Sequence, residues 1–256
     1  MKKTVRIDPF SYAFSVGKVR VLENYLLKED EIRNLINLDL PLALESLSNH
    51  KIYGTQILKL DTFLKWEDFL EKQKEKLDTL LKKLIIREEI FTIIKDALAF
   101  PKKALKITSC VESKFLKDYF KYYVDFINIK TLFSLKDKKE FIEGGFIPLN
   151  EFFKLKEKSP EEILLFFKHT PYSRLVTEGI GYFKEHSTFV YLESLFQSFL
   201  VDFIKKYKYN AFGFEPVVAY YLAKLNEFNL LRTIFLGKFL GLDKEFLNKA
   251  LTTTYV

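Results

Sequence analysis

The stretch Gly213–Val256, GFEPVVAYYLAKLNEFNLLRTIFLGKFLGLDKEFLNKALTTTYV, decides the fold class. Its apolar residues Val218, Tyr221, Leu225, Phe228, Leu231, Phe235 and Phe239 recur in steps of three and four, the spacing of one stripe on an α-helix. Pro216 suits a first helical turn, where its missing N–H would be unpaired anyway, and Glu215 beside it complements the positive end of the helix dipole. The helix is expected to start near Pro216. Gly241 can take the left-handed conformation that closes a helix, and Asp243 can cap a short second helix through Leu251. On this reading Phe228 faces the core and Lys224 lies on another, solvated face, so that truncating Phe228 is costly and truncating Lys224 is not.

The same kind of pattern extends outward. Tyr12–Leu27 suits an amphipathic helix with Phe14, Val21, Leu22, Tyr25 and Leu26 on its inner side. Lys28-Glu29-Asp30-Glu31 offers an acidic start to a short helix through Leu38, and Asp39 with Pro41 starts another through Leu47. Leu64–Leu84 reads as a long amphipathic helix with ion pairs along its wet side; a membrane-surface or calmodulin-target reading is weaker, because acids are interleaved with its lysines. Arg87–Phe100 is expected to be helical up to Pro101, and Glu112–Leu135 to be a second long helix. Gly144-Gly145 and Pro148 mark a turn, and Ser159-Pro160-Glu161-Glu162 forms a capping box. His186–Lys206 is expected to pair with the Pro216 helix.

Three internal echoes suggest a repeat. Leu44, Ile163 and Phe246 each precede a tyrosine by nine residues, namely Tyr53, Tyr172 and Tyr255; His50 and His169 precede the first two tyrosines by three. The segment Tyr122–Leu132 is similar to Lys224–Ile234, with Asp125 at the place of Glu227. A unit of two long helices and a short one ending near a tyrosine accounts for these echoes. It gives three units, 1–58, 59–180 and 181–256, of an all-α protein.

Composition bounds the chemistry. The 256 residues are 48% hydrophobic, with only 9 Gly and 7 Pro, which favours long regular elements around a large core. Lys and Arg number 41 against 34 Asp and Glu, a net charge of +7 that favours acidic partners. The single cysteine, Cys110, rules out an internal disulfide or a thiolate cluster, and a reducing, cytoplasmic setting is expected. The polar Thr4, Arg6 and Asp8 give no signal-peptide core, and no apolar run is long enough to span a bilayer.

No phosphate loop occurs: Pro216 removes an amide from Gly213-Phe214-Glu215-Pro216, and Glu215 would repel an anion. His50, His169 and His186 are widely separated, so no metal site is expected. The acid pairs Glu88-Glu89 and Glu161-Glu162 stand at helix starts, where capping explains them better than acid–base catalysis. Asn128 and Asn229 are candidates for buried hydrogen-bonding posts. Lys205-Lys206-Tyr207-Lys208-Tyr209 could stack bases, but it also sits where lysines complement a helix end.

Several groups of residues together resemble the C-subunit family of archaeal and bacterial A/V-type rotary ATPases and ATP synthases, whose eukaryotic V-ATPase members are known as d subunits. They are Glu215-Pro216-Val217, Ala219-Tyr220, Leu222-Ala223-Lys224, Glu227, Asn229, Leu231-Arg232, Gly237-Lys238 and Tyr255-Val256. Tyr12-Ala13, Lys18-Val19-Arg20, Leu22-Glu23 and Leu26-Leu27 resemble the family's N-terminal helix, and Tyr122–Leu132 its central segment. The chain departs from the family in its compressed first unit and in Leu225-Asn226, where an acid is common.

The resemblance implies three similar helical bundles about a pseudo-threefold axis in a funnel-like body. It implies a non-catalytic central-stalk subunit, without cofactor, peripheral on the cytoplasmic face of the membrane. Its partners would be the proteolipid rotor ring and the central D/F shaft, with one copy per complex, no nucleic acid and no direct membrane insertion. Arg20, Glu23, Asp125, Asn128, Glu215, Pro216, Glu227, Asn229, Arg232, Lys238 and Tyr255 would then be structural or interface residues. Without the resemblance, a basic helical nucleic-acid-binding protein and a generic helical scaffold remain open.

Overall fold

The structure, a computed structural model, describes residues 8–134 and 140–256. Among them it is all-α, with no strand. In chain order the helices are α1 (Ala13–Glu23), α2 (Glu29–Asn37), α3 (Leu40–Ser48), α4 (Phe63–Leu84), α5 (Glu88–Ala99), α6 (Ala104–Thr108), α7 (Lys114–Leu132), α8 (Leu149–Lys156), α9 (Pro160–Phe167), α10 (Ser173–His186), α11 (Val190–Lys205), α12 (Glu215–Phe239) and α13 (Lys244–Ala250). Leu135, the expected last residue of the helix that begins near Glu112, lies outside the described residues.

Local chemistry sets the helix starts. Asp39 accepts the Leu42 amide at 3.0 Å, Ser159 that of Glu162 at 3.3 Å, and Asp243 that of Phe246 at 2.7 Å, so α3, α9 and α13 each begin on a capped residue. Glu162 completes the capping box by accepting the Ser159 amide at 3.0 Å. Pro101 stands just past the end of α5, where a helix cannot continue through it.

Two compact units emerge. Asp8–Ile86 with Gln197–Val256 make a terminal unit, and Arg87–Phe196 a middle unit. Position 58 falls in a 3-10 turn and position 180 inside α10, so compactness divides the chain at other places than the echoes do. α10 itself, Ser173–His186, is a helix that sequence periodicity does not separate.

The terminal unit is organised around α12. Almost every residue from Pro216 to Phe228 is buried, including Val217, Ala219, Tyr220, Leu222 and Ala223 beside the expected stripe. The one-sided stripe is therefore corrected to a helix enclosed on all sides through its first half, which is why its residues are apolar all round. α4 runs antiparallel along it: Trp66 lies against Phe235 with ring centroids 4.1 Å apart, and Tyr221 donates to Asp78 at 2.7 Å. The outer face of α4 carries the expected ion pairs, such as Lys72–Asp68 at 2.6 Å and Lys74–Glu71 at 3.2 Å. Such exposed pairs contribute about 0–1 kcal/mol each.

α1 turns two of its expected inner residues outward, while Leu26, just past its end, is buried as expected. Val16 and Val19 are buried, whereas Phe14 is 80% and Val21 58% exposed. Both sides of this helix are apolar, so periodicity alone could not choose between them.

In the middle unit α7 supplies the core face Phe115, Leu116, Phe120, Val124 and Ile129. Phe126 stacks on Phe196 at 3.8 Å and Phe141 on Phe152 at 5.5 Å. Gly179 on α10 lets Leu192 approach so closely that a β-carbon there would meet its side chain at 2.6 Å.

Candidate functional site

The short helices α3, α9 and α13 are each followed, five residues beyond their last residue, by a buried tyrosine: Tyr53, Tyr172 and Tyr255. Each tyrosine hydroxyl donates to a buried carboxylate on another helix. Tyr172 reaches Asp125 of α7 at 2.5 Å, Tyr53 reaches Glu227 of α12, and Tyr255 reaches Glu23 of α1 at 3.3 Å.

Two of these carboxylates hold a helical hairpin at both ends. Asp125 accepts the amides of Phe146 at 2.9 Å and Ile147 at 3.2 Å, just before α8, as well as the Tyr172 hydroxyl just after α9. Glu227 accepts the Leu27 amide at 2.7 Å, just before α2, as well as the Tyr53 hydroxyl after α3. One acid thus fixes the entry and exit of α8–α9, and the other does the same for α2–α3.

The partners are not assigned in chain order. Asp125 takes the tyrosine that follows it most closely, within the middle unit. Glu23, although it precedes α2–α3 directly, takes Tyr255 from the C-terminal tail, and Tyr53 goes instead to Glu227. The first and last parts of the chain are exchanged, which joins them into one terminal unit. Arg20 supports Glu23 through Nη1 at 2.9 Å and donates from Nη2 to the Asn210 carbonyl at 3.2 Å.

Lys224 overturns the expectation of a solvated lysine. It is 4% exposed, donates to Glu227 and to the Tyr53 hydroxyl at 3.2 Å, and lies 4.9 Å from the Tyr53 ring centroid and 5.4 Å from that of Phe228. Glu227 follows Lys224 by three positions, so one turn of α12 brings the two charges together in the core. Burial, then the Glu227 charge and hydrogen bond, push the Tyr53 hydroxyl well above its ordinary pKa and keep it a donor. Burial likewise raises the Asp125 carboxyl, opposed by the hydrogen bonds from Tyr172, Ile147 and Phe146.

The other sequence-selected residues scatter. Asn128 is buried and pairs doubly with the backbone of Ile142, at 2.8 Å in each direction. Asn229 is exposed, which corrects its expected place as a buried post. Asn226 takes that role: its amide donates to the Thr253 carbonyl at 3.1 Å and its oxygen accepts from Thr252 at 2.9 Å, pinning the extended tail. Thr253 also donates its amide to Ser198 at 3.0 Å. Lys238 donates to the carbonyls of Ile36 at 3.1 Å and Leu38, closing the end of α2, and burial lowers its pKa. Arg232 pairs with Glu67 at 2.6 Å on the surface. Glu215 opens α12 with its pKa raised by burial, and Pro216 is buried beside it.

Gly145 is dictated by the Asp125 post. A β-carbon there would lie 1.9 Å from Oδ1, so Gly145→Ala is expected to displace the carboxylate from its amides and to cost about 1–3 kcal/mol. Denaturant unfolding of the whole chain checks this, with Gly17→Ala, where an added β-carbon meets nothing within 4 Å, as the comparison.

His50 adds a pH dependence. Its ring lies 5.4 Å from that of Tyr53, and burial lowers its pKa from 6.5, against the pull of Glu227 and Glu31 and with a smaller push from Lys224. The unfolded chain therefore protonates His50 first as pH falls. Its contribution to stability is complete above 6.5 and is lost as pH drops from there through the lowered value. Unfolding midpoints measured between about pH 7.5 and pH 5 should fall more steeply for the natural protein than for His50→Gln; parallel curves would contradict the assignment.

Among the described residues no group of three or more His, Cys, Asp and Glu could hold a metal ion, and no helix is long and apolar enough to cross a membrane. These features define an all-α protein whose buried acids are taken up by tyrosines, a lysine and backbone amides. The chain belongs to the ATP synthase (C/AC39) subunit family, whose sequence model matches residues 74–250. Comparison with curated proteins finds no match. The matched range contains Asp125, Tyr172 and Glu227, and leaves Glu23, Tyr53 and Tyr255 outside it. The family is a subunit of a V/A-type ATPase or ATP synthase complex.

Proposed function

We propose that this chain is the non-catalytic central-stalk subunit of a V/A-type rotary ATPase or ATP synthase, seated on the proteolipid rotor ring and receiving the D/F shaft. In this role it transmits torque between ion flow and ATP chemistry. It works as one copy per complex, on the cytoplasmic face of the membrane and without inserting into it. The family match carries the reading, because it spans residues of both compact units.

The buried posts fit a part that must be stiff. Each of Asp125 and Glu227 ties two ends of a hairpin to a long helix, and close-packed interiors transmit strain with little compression. The three carboxylate–tyrosine pairs also favour three similar units about a pseudo-threefold axis, as the resemblance implies. The units 1–58, 59–180 and 181–256 are proposed on the recurring spacing of the short helices α3, α9 and α13 to Tyr53, Tyr172 and Tyr255.

Binding of the purified protein to a preformed rotor ring, and to the D/F shaft, tests the role across a salt series. Attraction of a +7 protein to acidic surfaces is screened over about 8–10 Å at physiological salt, so affinity should weaken yet persist where the contact core is apolar. Tight, salt-sensitive binding to DNA or RNA with no affinity for ring or shaft would overturn the reading.

A further inference from the structure

A small cavity lies inside the terminal unit where the chain enters α2, beside the middle of α12 and under the tail that follows α13. Ala223 and Leu230 belong to its apolar wall, and Asn226, Glu227, Thr254 and Tyr255 to its polar one. None of these six residues is more than 8% exposed. A water-sized sphere has about 10 Å³ to move in there, the room of about one water molecule.

Hydrogen-bonding capacity is left over on the polar wall. A carboxylate can accept about four bonds, and Glu227 takes three: the Tyr53 hydroxyl and the Lys224 ammonium on Oε1, and the Leu27 amide on Oε2. The remaining place is on Oε2. Asn226 gives one amide hydrogen to the Thr253 carbonyl, and its second meets no acceptor among the described residues. Thr254 donates its hydroxyl to the Val256 carbonyl and Tyr255 donates to Glu23, so both hydroxyl oxygens can still accept.

One buried cavity is therefore bordered by an unused donor, Asn226 Nδ2, and an unused acceptor, Glu227 Oε2, that do not bond each other. Buried polar groups of this kind are costly to leave without partners. The occupant that serves both must donate as well as accept. It must also be neutral: Lys224 already balances the Glu227 charge, so a further cation gains little, and the carboxylate repels an anion. The size admits nothing larger than water.

We propose that this cavity is a binding site for one structural water molecule. The water donates to Glu227 Oε2 and to a hydroxyl oxygen of the tail, and accepts from Asn226 Nδ2. Three such bonds are the usual complement of a buried water. Glu227 holds the α2–α3 hairpin and Asn226 pins the tail, so the water joins the two exchanged ends of the chain at one point. A bridging water of this kind is nearly as good a link as a direct hydrogen bond.

The test is made on the whole chain. A high-resolution crystal structure of the natural protein should show one ordered water within hydrogen-bond distance of both Glu227 Oε2 and Asn226 Nδ2. A dry cavity, or an ion coordinated there by several oxygens, would overturn the proposal. Oxygen-17 relaxation dispersion of the solvent counts long-lived internal waters in solution. Ala223→Val, which adds two methyl groups at the cavity wall, should lose one such water relative to the natural protein, and Ala223→Gly should keep it. With the water displaced, exchange of the Thr253 amide hydrogen in the tail should quicken about fivefold, the equivalent of one average hydrogen bond. Equal water counts and equal Thr253 exchange in Ala223→Val and the natural protein would contradict the assignment. Should Ala223→Val fail to fold, the crystal structure of the natural protein decides alone.

Discussion

Glu227→Ala is expected to destabilise the terminal unit more than any other single truncation of a polar residue. The change strands the Lys224 ammonium in the core and removes the acceptor of the Leu27 amide and the Tyr53 hydroxyl. Removing one member of a buried ion pair costs about 3–5 kcal/mol, because the other charge remains without compensation. Lys224→Ala leaves Glu227 with two neutral donors and should fall in the same range, near its lower end. Lys224→Met, which keeps the packed stem and removes the charge, should cost less than Lys224→Ala. Denaturant midpoints with unchanged slopes would measure the series; a near-zero shift for Glu227→Ala would contradict the post assigned to it.

Phe228→Ala carries the second large effect. The side chain is buried within the enclosed half of α12, and truncation of a buried phenylalanine costs about 3–5 kcal/mol through lost transfer energy and the cavity left behind. The Lys224 ammonium lies over the same ring, so the two losses share a contact. The double variant Lys224→Ala with Phe228→Ala should therefore depart from the sum of the single effects by about 0.5 kcal/mol or more. Strict additivity would separate the ring from the ion pair.

Much of the fold is legible in the sequence because helix starts are local chemistry. Asp39, Ser159 and Asp243 announce three short helices, and the tyrosines at constant distance behind them announce that those helices end alike. The similarity of Tyr122–Leu132 to Lys224–Ile234 singles out Asp125 and Glu227, and both carry posts of the same construction.

What could not be read is where local rules leave a choice to tertiary packing. α1 has apolar residues on both sides, and only its neighbours decide that Val16 and Val19 go in while Phe14 and Val21 stay out. Lys224 breaks the rule that lysines face water, and its partner Glu227 is visible as an i, i+3 neighbour without any sign that the pair is buried. Asn229 has the sequence position of a polar post on α12, but Asn226 fills that role, because the contact is with a tail whose path no local pattern specifies. Gly179 and Gly181 weaken the helix propensity of α10 and blur it in the sequence; Gly179 is there for the close approach of Leu192. The exchange of Tyr53 and Tyr255 between Glu227 and Glu23 is a property of assembly and leaves no mark on spacing.

A coupling role is defined by the company this chain keeps. Affinity isolation of the tagged chain from native membranes, in mild detergent, tests it most directly. The reading predicts that the proteolipid ring and the D/F shaft come with it in fixed proportion, one copy of this chain to each complex. Recovery of the chain alone, or with nucleic acid in place of rotor components, would contradict it.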